Sequence, residues 1–119
     1  MLMHRHLPNA GHAIIDLRKL RDYVLNPEHP EGRHKARVFL SALGVTASDS
    51  EWLATAILEK IEDGAAIETG HTVWGTMYRV DIEVWRGNRC AKVRTGWLCQ
   101  AASTRLTTCF VVGECDETA

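Results

Sequence analysis

The spacing of the apolar residues changes once along the chain, near residue 65, and this change limits the fold more than any other feature. Before it, apolar residues recur at positions i, i+3, i+4 and i+7, as they do from Ala36 to Leu43. After it, they alternate with polar residues, as they do from Tyr78 to Val84. The first period is that of a helix and the second that of a strand. The sequence therefore predicts an α+β fold in which about three N-terminal helices pack on a four-stranded antiparallel meander.

Caps and turns indicate where these elements end. Asp16 is a plausible N-cap for the first helix, which should end near Leu25 because the next residue precedes a proline. Gly44 suits the left-handed position after the second helix, and Ser48 or Asp49 can cap the third. The predicted helices span residues 16–25, 32–44 and 49–64, and the predicted strands span residues 67–74, 78–84, 91–99 and 106–112.

A chain of 119 residues is long enough for one core, so residues 1–119 are expected to form a single domain. Within it we predict a lead-in at 1–15, a helical part at 16–64, the sheet at 65–112 and a frayed tail at 113–119. The sequence has no signal-peptide pattern and no apolar run long enough to cross a membrane. The initial Met suggests a complete reading frame, and a cytoplasmic protein is expected.

Charge and cysteine spacing narrow the choice of partner and cofactor. The formal net charge of −1 makes no strong overall field for a polyanion, and we expect no DNA partner. The four cysteines lie in the last third without zinc-site spacing, so free thiols, no metal and no cofactor are expected. The His-Arg-His run at residues 4–6 could bind a metal, but a segment so near the start favours an inert role.

The stretch from Asn26 to Phe39 combines a proline-bracketed histidine with the start of the second helix. His29 lies between two prolines, which restrict its backbone, and its imidazole can exchange a proton near neutral pH. Lys35 lies at the edge of the apolar stripe, whereas His34 points away from it. The alternative is structural: His29 belongs to a surface turn, and Lys35 and Arg33 are solvated helix residues.

Two threonines follow the apolar phase of their predicted strands. Thr95 and Thr108 could donate hydrogen bonds to a phosphate if the core opens into a cleft there, or could be strand residues bonded within the core. Arg79 lies in the opposite phase among acidic residues. Cross-strand ion pairing is the usual role for such a residue, so Arg79 is a weaker candidate.

These residues resemble a small bacterial family of unknown function. The motif L-N-P-x-H-P-x-G-x-x-K-A-x-x-F carries the resemblance, with W-G-T-M-Y-R-V, V-R-T-G-W and L-T-T-C-F in the strands, over nearly the whole chain. Family members occur alone and as C-terminal domains of polymorphic toxins and phage-head-associated proteins. These contexts and the order of elements are also similar to ribonucleases of the barnase–EndoU–colicin–RelE type, which need no metal.

The resemblance implies a metal-independent endoribonuclease that acts as the toxin of a toxin–antitoxin or interbacterial system. His29 would be the acid or base, Lys35 the charge stabiliser, and Thr95 and Thr108 phosphate donors. Arg79 and Arg33 would bind substrate. The implied partners are RNA, with tRNA as one candidate, and an antitoxin or immunity protein. The alternative is a non-catalytic interaction module of the same fold, in which His29 bonds to backbone and Lys35 covers an apolar edge. A metal-dependent hydrolase ranks third.

Overall fold

A computed structural model describes residues 6–115 and confirms the α+β fold. Three helices precede a four-stranded antiparallel sheet with strand order β1-β2-β3-β4. The helices are α1 (Leu17–Lys19, continued by a π-helical turn over Leu20–Val24), α2 (Arg33–Leu43) and α3 (Ser50–Ile61). The strands are β1 (Ala66–Thr72), β2 (Gly75–Arg86), β3 (Arg89–Gln100) and β4 (Ser103–Glu114). Short 3-10 turns cover Ala10–His12 and Ala47–Asp49.

The helices and one face of the sheet enclose the core. Phe39 and Leu43 of α2 and Ile57 of α3 are buried against it. Every second residue along much of β2 and β3 is buried and faces this core, and Trp97 is the largest of their fully buried side chains. The turn between β2 and β3 is the one expected at Gly87, whose positive φ of 63° suits glycine.

A β-bulge in β4 overturns one detail of the predicted strand. Gly96 pairs with Thr108 while the next residue of β3, Trp97, pairs with Leu106, so Thr107 is the extra residue. Past a bulge the side chains change faces relative to a regular strand. Cys109 is therefore fully buried, whereas Thr108 and Phe110 do not continue the buried phase that Leu106 begins.

The end of the chain also differs from the expectation. β4 runs to Glu114, and Cys90 forms a disulfide with Cys115, so residues 113–115 are ordered rather than frayed. The expectation of free thiols is wrong for these two residues, since cross-strand pairing next to the hairpin brings them together. His4 and Arg5 of the His-Arg-His run, for which an inert role was expected, and residues 116–119 lie outside the described residues. No helix among residues 6–115 is long and apolar enough to cross a membrane.

Candidate functional site

The first helix presents a lysine and a tyrosine toward β4. Asp16 caps the helix as predicted, its carboxylate accepting a hydrogen bond from Arg18 N at 3.0 Å. The helix then widens into a π-helical turn, closed by a bond of 2.8 Å from Leu25 N to Leu20 O. Such turns are rare and are frequent at functional sites. Lys19 lies at the start of this turn and Tyr23 lies inside it, four residues further on.

Lys35 occupies the centre of a polar cluster between the helices and β4. Its Nζ donates to the Tyr23 hydroxyl at 2.7 Å and to Thr108 Oγ1 at 3.2 Å. The same ammonium lies 4.6 Å from the centroid of the Tyr23 ring and 5.8 Å from that of Phe110. The aromatic faces attract the charge and restrict its position. The structure thus brings together Lys35 and Thr108, two of the four residues predicted to be catalytic.

A second lysine reaches the same place on β4. Lys19 Nζ donates to the Thr107 carbonyl at 3.3 Å, next to the residue that Lys35 contacts. Within residues 6–115, neither lysine lies within 4.0 Å of a carboxylate. We call Lys19, Tyr23, Lys35, Thr107 and Thr108 the bulge site. The bulge site therefore has two positive charges and, among residues 6–115, no carboxylate within 4.0 Å of either, an arrangement that favours an anion electrostatically.

His29 holds the turn that leads into α2. Its Nδ1 accepts hydrogen bonds from Glu31 N at 3.0 Å and from Gly32 N at 2.9 Å. An Nδ1 that accepts two bonds carries no proton, so the neutral ring must carry its proton on Nε2. The ring also packs edge-on against Tyr23, with centroids 4.7 Å apart and planes at 80°. His29 therefore connects to the bulge site through Tyr23 rather than directly.

Thr95 lies apart from this cluster, inside the core. It is fully buried, its hydroxyl donates to Val80 O at 2.6 Å, and it accepts from Trp97 Nε1 at 2.7 Å. Both hydrogen-bonding roles of the hydroxyl are satisfied by the protein itself. These contacts are those expected of a strand residue whose hydroxyl is bonded within the core.

The two arginines predicted to bind substrate lie in different surroundings. Arg33 is exposed at the first turn of α2. Arg79 lies in β2 directly opposite Gly96, and its Nε is buried without a hydrogen-bond partner among the described residues. Its acidic neighbour Asp81 pairs instead with Arg94, whose Nε donates to it at 2.9 Å.

Sequence reasoning missed Lys19, Tyr23 and Thr107. One signal was available: Lys19 and Tyr23 are four residues apart, so a single helix face presents both. The helical spacing of Tyr23 fits an apolar residue of the first helix, and its ring does contact the core, so the role of its hydroxyl is not evident from the sequence. The bulge that adds Thr107 to the site leaves no mark in the sequence pattern.

Other groups with chemical potential are already engaged or buried. Glu83, Cys90 and Cys115 have ligand atoms within 4.8 Å of one another, but the two sulfurs form the disulfide. Burial raises the pKa of the Cys109 thiol to about 12, although the charge of Lys35 acts in the opposite direction. A cleft of about 280 Å³ between α3 and β2, walled by Trp52 and Trp85, contains none of the predicted site residues.

Comparison with known proteins identifies a family whose function is not known. A family model described as a domain of unknown function (DUF6883) matches residues 6–113. No curated protein and no solved structure matches the chain.

Proposed function

We propose that this chain, which belongs to the family described as a domain of unknown function (DUF6883), is a metal-independent endoribonuclease that acts as a toxin. The observation that carries the proposal is that Lys19 and Lys35 donate hydrogen bonds to two consecutive residues of one β-bulge, Thr107 and Thr108. Cleavage of RNA by its own 2′-hydroxyl needs charge stabilisation at the phosphorus and a proton for the leaving oxygen, and no metal is required.

Lys35 is suited to stabilise the phosphorane. Its ammonium is held by the Tyr23 hydroxyl and Thr108 Oγ1, and within residues 6–115 it has no carboxylate to neutralise it. A cation fixed before the reaction stabilises developing charge without reorganising. Lys19 places a second ammonium group beside Thr107, the residue before Thr108. A phosphate bound at Thr108 would therefore be attracted by both charges.

The Tyr23 hydroxyl is the best-placed proton donor. It accepts from Lys35, and its own O–H makes no hydrogen bond with another described residue, so it can donate to a ligand. In the proposed step the 2′-oxygen attacks phosphorus while the bond from phosphorus to the 5′-oxygen breaks. The 2′-hydroxyl proton passes to water, and Tyr23 protonates the 5′-oxygen and is then reprotonated by solvent. The products are a 2′,3′-cyclic phosphate and a 5′-hydroxyl.

His29 acts here as a positioning residue. A ring whose Nδ1 accepts two backbone bonds cannot take a further proton on that atom without losing both bonds. Its contribution is to fix the turn before α2 and to pack against the Tyr23 ring. The replacement of His29 by Asn, which offers an acceptor oxygen in a similar place, should keep most activity, whereas His29→Ala should lose more.

Activity on RNA tests the proposal directly. Purified protein with EDTA should cleave total RNA or tRNA and leave 2′,3′-cyclic phosphate ends. Lys35→Ala and Tyr23→Phe should each lower the rate by about 10²-fold or more, the size expected for one charge-stabilising or proton-transfer group. Arg37→Ala is the matched control, because it removes an exposed cation from the same helix. Intact RNA with wild-type protein, or an equal loss in Arg37→Ala, would contradict the proposal.

The toxin role rests on the resemblance to toxin domains and requires a partner that blocks the site. Expression in a bacterial host should slow growth, and Lys35→Ala should relieve the effect. Co-expression of the neighbouring gene, the expected antitoxin or immunity protein, should also restore growth. Unimpaired growth with active, soluble protein would remove the toxin role and leave the nuclease.

A second candidate function is a non-catalytic interaction module, which the His29 geometry favours. In that case the histidine serves only the turn before α2, and the Lys35 ammonium serves to join α1, α2 and β4. Wild-type protein and Lys35→Ala would then both leave RNA intact, and the substitution would only reduce the free energy of unfolding.

A further inference from the structure

On the outer face of the sheet, beside the bulge site, a glycine leaves a gap between the side chains of two other strands. Arg79 in β2, Gly96 in β3 and Thr108 in β4 are directly opposite one another in the two registers. Residues opposite one another in antiparallel strands project their side chains to the same face. Because Gly96 has no side chain, nothing from β3 separates the arginine from the threonine.

The glycine also allows the bulge to lean over β3. A Cβ on Gly96 would lie 3.0 Å from Thr107 Oγ1 and 3.4 Å from Thr108 Cγ2. Both hydroxyl-bearing side chains therefore border the space above Gly96 on one side. Neighbouring strands are about 4.8 Å apart, so the span from Arg79 to Thr108 is roughly 10 Å at the backbone.

Arg79 has one donor atom that no other residue of the described chain, 6–115, satisfies. Its Nε is buried and makes no hydrogen bond within residues 6–115, and the acid two residues along β2 is taken by Arg94. A buried donor left unpaired costs free energy, which an acceptor bound at this place would recover. A guanidinium matches the oxygens of a phosphate better than any other side chain does.

We propose that Arg79, Gly96 and Thr107 form a second phosphate subsite, which holds the RNA phosphate next to the scissile one. The identification of the occupant as RNA rests on the proposed function. The substrate class is then an oligonucleotide with at least two consecutive phosphates, not a dinucleotide or a cyclic mononucleotide. The subsite contributes binding energy in both ground state and transition state, so it affects KM more than kcat.

Non-cleavable probes test the subsite apart from catalysis. The thymidine trinucleotide has two phosphates, the thymidine dinucleotide has one, and neither has a 2′-hydroxyl. At fixed low salt, wild-type protein should bind the trinucleotide about 10-fold more tightly, within the range of a charge-assisted contact. Arg79→Met should abolish this preference, and Arg37→Met, the charge-matched control, should keep it. Should Arg79→Met not fold, Gly96→Ala serves instead, since its methyl group must push Thr107 aside, with Gly113→Ala in open space as its control.

The outcomes separate the two proposals. Equal binding of both probes by wild-type protein, a preference that persists in Arg79→Met, or its loss in Arg37→Met overturns the subsite. If the preference behaves as expected but no RNA is cleaved, the subsite stands and the ribonuclease falls. With ribonucleotide probes, an active enzyme should show a kcat/KM for the trinucleotide about 10-fold above that for the dinucleotide, mostly through KM.

Discussion

Replacement of Gly32 by alanine should damage both stability and the bulge site, and its cost can be worked from the structure. A Cβ at position 32 would lie 1.9 Å from the carbonyl oxygen of Tyr23 and 2.7 Å from its carbonyl carbon. Ordinary contact begins at 3.4 Å, so the two backbone segments must separate by about 1.5 Å. The obstacle is backbone, which cannot rotate away as a side chain can. A forced shift of this size costs about 3 kcal/mol or more.

The same shift would disturb the site through Tyr23. Gly32 N donates to His29 Nδ1, and the π-helical turn that carries Tyr23 packs against this glycine. Displacement of the turn should move the Tyr23 hydroxyl and so lengthen its 2.7 Å hydrogen bond from Lys35 Nζ. Activity should therefore fall even at temperatures where the variant remains folded.

Urea unfolding monitored by tryptophan fluorescence measures the stability loss, and a thermal scan should show a decrease in Tm of roughly 10 °C or more. Gly70→Ala is the control, because a Cβ there meets no atom within 4 Å and should be neutral or slightly stabilising. A loss below about 1 kcal/mol in Gly32→Ala would refute the close packing of the turn against α2.

Three further predictions concern individual groups. Asp49→Asn should reduce the free energy of unfolding by about 1–2 kcal/mol. Hydrogen bonds from the Thr46 backbone and from Arg86 hold the pKa of Asp49 below its usual value. The stability that the Asp49 carboxylate contributes is therefore present above that usual value and lost as the pH falls through the acid range. Urea titrations from pH 7 to 3 check this: the variant should lose less stability on acidification than wild type, and parallel curves would contradict it. At pH 8 a thiol reagent should modify Cys109 only after unfolding, since burial raises its pKa to about 12; rapid labelling of the native protein, located by mass spectrometry, would oppose this. Thr95→Val leaves Trp97 Nε1 unpaired in the core and should cost about 2–3 kcal/mol in urea unfolding, and a loss near zero would show that the bond is unimportant.

The candidate site was only half accessible to sequence reasoning. Lys35 was identified because a helical wheel places it at the edge of the apolar stripe, and that edge does face β4. Thr108 was selected from a strand phase that the bulge interrupts, so its place beside Lys35 depends on a bulge that the alternating sequence pattern does not reveal. His29 was selected for its chemistry, but which ring nitrogen is free depends on backbone contacts invisible in sequence.

Local patterns by themselves determined the kind and order of the elements. The change from a helical to an alternating period predicted α+β, and the limits of α2 and the hairpin at Gly87 followed from residues adjacent in the chain. Such features depend on interactions over a few residues, which a sequence records directly.

Only the tertiary structure decided which side chains meet. Lys19 and Lys35 come from different helices, and they converge because both contact β4 at the bulge that adds Thr107 beside Thr108. The pairing of Cys90 with Cys115 likewise depends on strand register across a distance of 25 residues. Both features come from packing between distant segments, where small local irregularities fix the final geometry and no repeating pattern announces them.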